Sequence, residues 1–444
     1  MSAVNTFKKT AVLALVCMLC TLCGCETITF SIDSLLAAPS IADEQAAVHD
    51  ALIESVGGTV VPSYPRSGDY RSAFIITDID ADGNDEALAF YTLSSQSSTQ
   101  NVRVSVLDKT EDGGWDAMYE LAGSGTYVDT VMLADYGSTV DIIIGYGSPA
   151  SEDKSVCIYR YTSGVLASIY EGAYTVIGRW DLDGCGADET VIVRKVGTSV
   201  SVSTIKTLDG LDYQTRERNL SVSASYISGC CYGELYDGVN ALFIDAVTEN
   251  ATAFTEIVML DGDTIVSPTS DSSGLLERTA RPYGYRTMDY DGDGDVEIPV
   301  ISPFLGYSAL TQSDIENITL WLSYDPELRD FYEEAQSYYN VSGGYIFKLP
   351  GRWHNFVTVQ RNADTNEITF LKYDYTAQSI SEMEGLLSIA VLPTASEQAY
   401  ENNGYVYIDG TDYVCFMYKS IASESEPLLL TADEVRSNLY YIES

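Results

Sequence analysis

Carboxylates on alternate residues, interrupted by glycine, recur three times in this chain. The first run is Asp78-Ile79-Asp80-Ala81-Asp82-Gly83-Asn84-Asp85-Glu86, and the second is Asp181-Leu182-Asp183-Gly184-Cys185-Gly186-Ala187-Asp188-Glu189. The third is Asp289-Tyr290-Asp291-Gly292-Asp293-Gly294-Asp295-Val296-Glu297. All three share one frame, with Asp at positions 1 and 3, Gly at 6 and Glu at 9. Oxygen ligands spaced in this way, with glycine where the backbone must turn sharply, form a cage for a hard cation such as Ca²⁺. Without a cation, four converging carboxylates repel one another by several kcal/mol at an effective dielectric constant of ~20. The first frame offers Asp78, Asp80, Asp82 and Glu86, with the Asn84 carbonyl as an extra ligand. The third offers Asp289, Asp291, Asp293, Asp295 and Glu297. The second is weaker: Cys185 replaces the position-5 carboxylate, and a thiol is a poor partner for Ca²⁺, which leaves Asp181, Asp183 and Glu189.

The runs around these frames are β-rich. Phe74-Ile75-Ile76 leads into the first, and Ala87-Leu88-Ala89-Phe90-Tyr91 leaves it; Thr190-Val191-Ile192-Val193 and Ile298-Pro299-Val300-Ile301 leave the other two. The frames recur at intervals of roughly 100 residues, and a half-period of roughly 50 fits a kelch-sized propeller blade. Degenerate copies sit near the midpoints, at Val131 to Gly145 with Asp135 and Asp141, and at Gly233 to Ile244 with Asp237. Five units of short alternating strands with Asp-Gly turns are therefore expected between residues 68 and 341. An EF-hand is excluded, because it needs a bidentate Glu at position 12, where this chain has Ala89 and Val300, and because its loop exits into a helix. The frame ending at position 9 between two strands resembles the FG-GAP or VCBS-type repeats of integrin-like propellers. That resemblance implies a mainly β fold and a β-propeller, with five blades best supported and six or seven left open. It also implies two Ca²⁺ ions in the first and third frames, with a third ion in doubt.

Two flanking regions differ. Lys8 and Lys9 followed by the apolar run Ala11 to Leu22 read as a signal segment, too short for a helix that spans a bilayer, which takes about 20 residues. Leu22-Cys23-Gly24-Cys25 resembles a bacterial lipoprotein lipobox, which implies cleavage after residue 24, lipidation of Cys25 and a place on the outer face of the cell membrane of a Gram-positive bacterium. Two acyl chains suffice for stable attachment to the lipid bilayer. Residues 25–67 form an anchor or linker containing an amphipathic helix opened by Ser40-Ile-Ala-Asp43-Glu44, with Val48, Leu52, Ile53 and Val56 on one side and Gly57-Gly58 as its stop. Residues 342–444 are expected to form a small α+β domain, with a capping box at Thr431-Ala-Asp-Glu434.

Charge excludes some partners. The chain has 444 residues, 24 Lys+Arg against 65 Asp+Glu, and a formal charge of −41, so it cannot easily build the basic patch that nucleic acid requires. With 45% apolar and only 20% charged residues it is still a globular chain. Beyond Cys25, the five cysteines Cys157, Cys185, Cys230, Cys231 and Cys415 are too irregularly spaced for a disulfide framework or a zinc site. Histidines are only two, His49 and His354, and neither sits in a nucleophile motif. The expectation is a non-enzymatic, calcium-stabilised binding module for an extracellular protein or glycan. The alternative is a polysaccharide hydrolase or lyase that uses a carboxylate pair in the propeller centre.

Overall fold

The computed structural model describes residues 43–94, 101–149, 151–208, 210–236, 238–307 and 315–442. Cys25, the signal segment and Asp237 lie outside them. The fold is mainly β, built as six antiparallel sheets of four or five strands.

Sheet I holds β1 (Val60–Pro62), β2 (Phe74–Thr77), β3 (Glu86–Leu93), β4 (Arg103–Lys109) and β5 (Trp115–Ala122), with β1 and β2 sharing one edge of β3. Sheet II is the meander β6 (Tyr127–Asp135), β7 (Val140–Ser148), β8 (Ser151–Thr162) and β9 (Val165–Tyr174). Sheet III repeats it with β10 (Val176–Trp180), β11 (Glu189–Val196), β12 (Ser199–Thr207) and β13 (Tyr213–Ser223). Sheet IV holds β14 (Tyr226–Leu235), β15 (Val239–Val247), β16 (Thr252–Asp261), β17 (Thr264–Val266) and β18 (Arg281–Pro282). Sheet V runs β19 (Ile298–Pro303), β20 (Asn317–Asp325), β21 (Asp330–Asn340) and β22 (Tyr345–Lys348). Sheet VI contains β23 (Val357–Arg361), β24 (Ile368–Lys372), β25 (Glu384–Pro393), β26 (Val406–Gly410) and β27 (Val414–Ser420). The last strand, β28 (Leu439–Tyr441), returns to pair with β22. Five helices of the described residues are α1 (Asp43–Val56), α2 (Pro268–Asp271), α3 (Leu275–Arg278), α4 (Glu397–Glu401) and α5 (Ala432–Ser437).

Consecutive sheets pack face to face, which is why their second strands read as continuous apolar runs rather than as alternation. In β7, Ile142 and Ile144 pack against Leu88, Phe90 and Val104 of sheet I, while Ile143 between them packs against Ile192 and Ile205 of sheet III. In β15, Leu242 and Ile244 join Val191 and Val193 of sheet III, and Phe243 joins Ile298 and Leu322 of sheet V. Tyr338, Tyr345 and Phe347 of sheet V meet Val359, Phe370 and Phe416 of sheet VI. The two end sheets turn their outer faces to other cover: α1 seats Val48 and Leu52 on Phe74, Ala87 and Trp115, and Tyr400 with Tyr405 covers Ala390 and Met417. Among the described residues no buried cluster joins sheet VI to sheet I.

Buried polar groups tie neighbouring sheets together. Arg281 is fully buried and donates to Asp245 Oδ1 at 2.7 Å, to Thr255 and Thr287 Oγ1 at 2.8 and 2.9 Å, and to the carbonyls of Tyr285 and Thr279. Glu256, also fully buried, accepts from the backbone N–H groups of Ser221 and Val222 in β13 and from the hydroxyls of Ser267 and Thr269. Every such donor removes part of the cost of burying charge.

Helix α1 buries Val48 and Leu52, and Gly57 in a left-handed conformation (φ 69°) follows it; Ser40 lies outside the described residues. The expected division between residues 341 and 342 falls between β21 and β22, two strands of sheet V that are hydrogen-bonded to each other.

Candidate functional site

The three acidic frames occupy equivalent places. Those at Asp78 and Asp181 link the first two paired strands of sheets I and III, and that at Asp289 precedes β19 of sheet V. Position 1 organises each turn with both carboxylate oxygens. Asp78 accepts from the N–H groups of Asp82 and Gly83 at 3.2 and 2.9 Å, and Asp181 from those of Cys185 and Gly186 at 3.0 and 2.9 Å. Asp289 accepts from Gly292, Asp293 and Gly294 at 2.7, 3.1 and 3.0 Å. The position-6 glycines have φ of 92°, 86° and 103°, and the position-4 residues Ala81, Gly184 and Gly292 have φ of 61°, 69° and 80°. A left-handed residue on either side of position 5 curls the backbone into a tight ring.

Position 9 closes the ring. Glu86 Oε2 accepts from Ile79 N–H at 2.9 Å, Glu189 Oε2 from Leu182 N–H at 2.9 Å, and Glu297 Oε2 from Tyr290 N–H at 3.3 Å. Glu86 is 4% exposed and Glu297 0%. Burial pushes the Glu86 carboxyl up to about 7, with Asp80 and Asp108 adding repulsion. Burial and the nearby Glu334 push Glu297 up to about 9. Asp80, Glu189 and Asp295 are raised as well, each chiefly by burial. Asp183 goes the other way, because the Cys185 side chain and N–H donate to it.

The donor sets differ between frames. Oxygens of Asp78, Asp80 and Glu86 lie within 4.8 Å of one another, as do those of Asp289, Asp291 and Asp293. The middle frame gathers Asp181, Asp183 and the Cys185 sulfur within the same limit, without Glu189. Asp82 lies outside the gathered oxygens of its frame, and Asp82 and Asp293 accept from the N–H groups of Asn84 and Asp295 at 2.8 and 3.0 Å. Three buried carboxylate oxygens of the frames have no hydrogen-bond partner, Asp80 Oδ1, Asp291 Oδ1 and Glu297 Oε1, as does the Tyr290 hydroxyl in the third frame. Leaving a buried carboxylate oxygen unpaired is costly, so these residues fit a hard cation in the first and third frames. In the middle frame no carboxylate oxygen is orphaned in this way.

Three contributors are absent from the acidic frames themselves. Asp108 in β4 lies opposite Glu86 and accepts from Tyr161 of sheet II at 2.6 Å. Lys348 in β22 donates to Asp291 Oδ2 at 2.8 Å. Glu334 in β21 reaches Glu297 and Asp293 within 4.8 Å. The frames also touch the next sheet. Tyr232 and Asn240 donate to the Asp181 carbonyl at 3.0 and 2.6 Å, and Glu234 exchanges backbone bonds with Gly294 and Val296. The degenerate copy at Asp135 is a short hairpin in which Asp141 is buried against Arg160 at 2.6 Å.

A cavity of about 860 Å³ opens between sheets IV and V, lined in part by Cys230, Cys231, Asp245, Asp289, Asp291 and Tyr440. Its carboxylates are already engaged: Asp245 by Arg281, Asp291 by Lys348, and Asp289 by backbone N–H groups. His49 packs edge-on against Phe74 and His354 bonds the Leu349 carbonyl, and neither lines this cavity. No helix among the described residues is long and apolar enough to cross a membrane.

No family model matches the chain, and no curated protein matches it. Among solved structures, an exotype rhamnogalacturonan lyase, YesX, is similar over 70% of this chain and 75% of its own, at 11% identity and a TM-score of 0.27.

Proposed function

We propose that the chain is a membrane-anchored extracellular lipoprotein whose blade-like sheets form a propeller-type scaffold of the FG-GAP or VCBS kind. In this reading Ca²⁺ in the frames at Asp78 and Asp289 stiffens the scaffold, which presents a surface to an extracellular protein or glycan. Cys25 carries the lipid. The cation part rests on one observation: Asp80, Asp291 and Glu297 each keep a buried oxygen with no hydrogen-bond partner inside a turn already closed by backbone N–H groups. Ca²⁺ would supply the missing positive charge there, and the chain's own residues orient the carboxylates and exclude water from position 9. Because the frames contact the adjoining sheet, ordering them also fixes how neighbouring sheets meet.

The binding role is favoured over hydrolysis because the carboxylates lining the large cavity are held by Arg281, Lys348 and backbone donors rather than free to act as an acid–base pair. Thermal melting with Ca²⁺ and with chelator tests the cation reading. Ca²⁺ should raise the melting temperature of the native protein and leave an Asp78→Ala, Asp289→Ala variant unaffected. Identical melting of the native protein in Ca²⁺ and in chelator would falsify it. Capture of surface partners from cell envelopes with and without Ca²⁺ then tests the display role.

A further inference from the structure

The third acidic frame has a feature that the first lacks. In β20 and β21, Trp321 pairs with Ala335 and Leu322 with Glu333, so Glu334 is the extra residue of a β-bulge. A bulge re-aims the side chain of the unpaired residue. Glu334 is turned toward Ser323, whose hydroxyl donates to its Oε2, and toward the end of the acidic loop. There it meets Asp293 and Glu297, with one oxygen of each within 4.8 Å of the others. Glu297 is wholly buried and its Oε1 has no hydrogen-bond partner. No Lys or Arg is ion-paired to Asp293, Glu297 or Glu334 among the described residues.

The neighbouring part of the frame is differently supplied. Lys348 places its ammonium 2.8 Å from Asp291 Oδ2, so position 3 is already partly neutralised. Lys348 also acts on Glu334 through space but forms no ion pair with it, so position 5, position 9 and the bulge on the sheet side of the loop lack a directly paired cation. Three carboxyl groups with no ion-paired cationic side chain, one of them fully desolvated, can all be ionised together only if a small hard cation joins them.

We propose that the frame at Asp289 holds its divalent cation on the sheet side, between Asp293, Glu297 and Glu334, so that the ion bridges the loop to the third strand of sheet V. This rests on the cation reading above and adds a ligand that the loop does not contain. Bound there, the ion joins an acidic turn to a bulged strand, whereas the frame at Asp78 gathers Asp78, Asp80 and Glu86 from a single stretch of chain.

Calcium titration calorimetry on the full chain tests this with four proteins: native, Glu334→Gln, Glu333→Gln and Glu297→Gln. Glu333 is the neighbour on the same strand, bonded to Gln336 instead, so its change removes an equal charge without touching the cluster. Glu334→Gln should weaken one calcium site by about tenfold to a hundredfold, as losing a group that shapes a metal site does, and Glu333→Gln should leave it within about twofold. In chelator Glu334→Gln should melt at or above the native temperature, which shows that it folds. If Glu334→Gln titrates like the native protein while Glu297→Gln loses a site, the bridging role is overturned and the cation reading survives. If the native protein takes up no Ca²⁺, both are overturned.

Discussion

Lys348 of β22 and Asp291 of the third acidic frame form an ion pair at 2.8 Å, with 33% and 13% of their side chains exposed. An ammonium at this distance competes for the carboxylate with any cation bound in the loop. Lys348→Met should therefore strengthen Ca²⁺ binding at this frame by about threefold to tenfold. In chelator the same change should cost more than about 1 kcal/mol, because it leaves the largely buried Asp291 carboxylate without its ammonium. Calcium titration and chelator melting of the variant separate the two effects; weaker calcium binding would contradict the competition.

The acid response of the metal-free protein follows from position 9. Glu86 moves from 4.5 up to about 7 and Glu297 from 4.5 up to about 9 on folding. A carboxyl that binds its proton more tightly when folded stabilises the fold most below its unfolded value, and that contribution disappears as pH rises through the folded value. In chelator, stability should thus fall between about pH 5 and pH 9, by roughly 3 kcal/mol or more. Saturating Ca²⁺, which favours the ionised form, should flatten or reverse the trend, and calcium binding near pH 6 should release protons. Denaturant unfolding across this range, with and without Ca²⁺, checks the sign.

Arg281 and Asp245 are each almost wholly buried, and their network joins β15 and β16 to the segment that leads into the third frame. Arg281→Met leaves Asp245 charged without its partner and should cost about 3–5 kcal/mol. The double change Arg281→Met, Asp245→Asn should cost clearly less than the sum of the single changes, since no bare charge remains. Urea unfolding of the three variants measures the coupling, and strict additivity would show that the pair acts independently.

At the middle frame the deviation is a single side chain. Cys185 occupies position 5, exposed and free, beside Asp181 and Asp183. Cys185→Asp restores the carboxylate and should add one calcium equivalent to the titration, because position 1, the glycines and Glu189 already have the geometry of the other frames. No added equivalent would mean that Glu189, which stands outside the gathered donors, is the missing element.

The parts of this fold that depend on near neighbours in sequence were readable. The acidic turns, the strands that flank them and the helix carrying Val48 and Leu52 all follow from local patterning. The shortened hairpins at Asp135 and near Gly238 read in the sequence as weak copies of the frame, and they link the first two strands of sheets II and IV. Sheet VI, with no acidic turn, is legible only as strands within an α+β segment, since its hairpins carry no repeated mark. What stayed hidden was set by long-range pairing. Glu334 gains meaning only from a bulge, and Lys348 only because β22 lies beside the loop, neither of which leaves a periodic trace. The hydrogen bonds between β21 and β22 that span the expected division at 341/342 belong to a local hairpin whose turn, Val341 to Gly344, carries no acidic frame.

The return of β28 to β22 sets an order of events in synthesis. Sheet V is built from Ile298 to Lys348, yet its edge is covered only when Leu439–Tyr441 arrive, after all of sheet VI has been made. During that interval β22 presents an unpaired, apolar strand edge with Tyr345, Ile346 and Phe347, the kind of template that recruits other chains. A stop codon just ahead of Leu439 should therefore turn a nearly full-length product into an aggregating one, although every acidic turn would still be present.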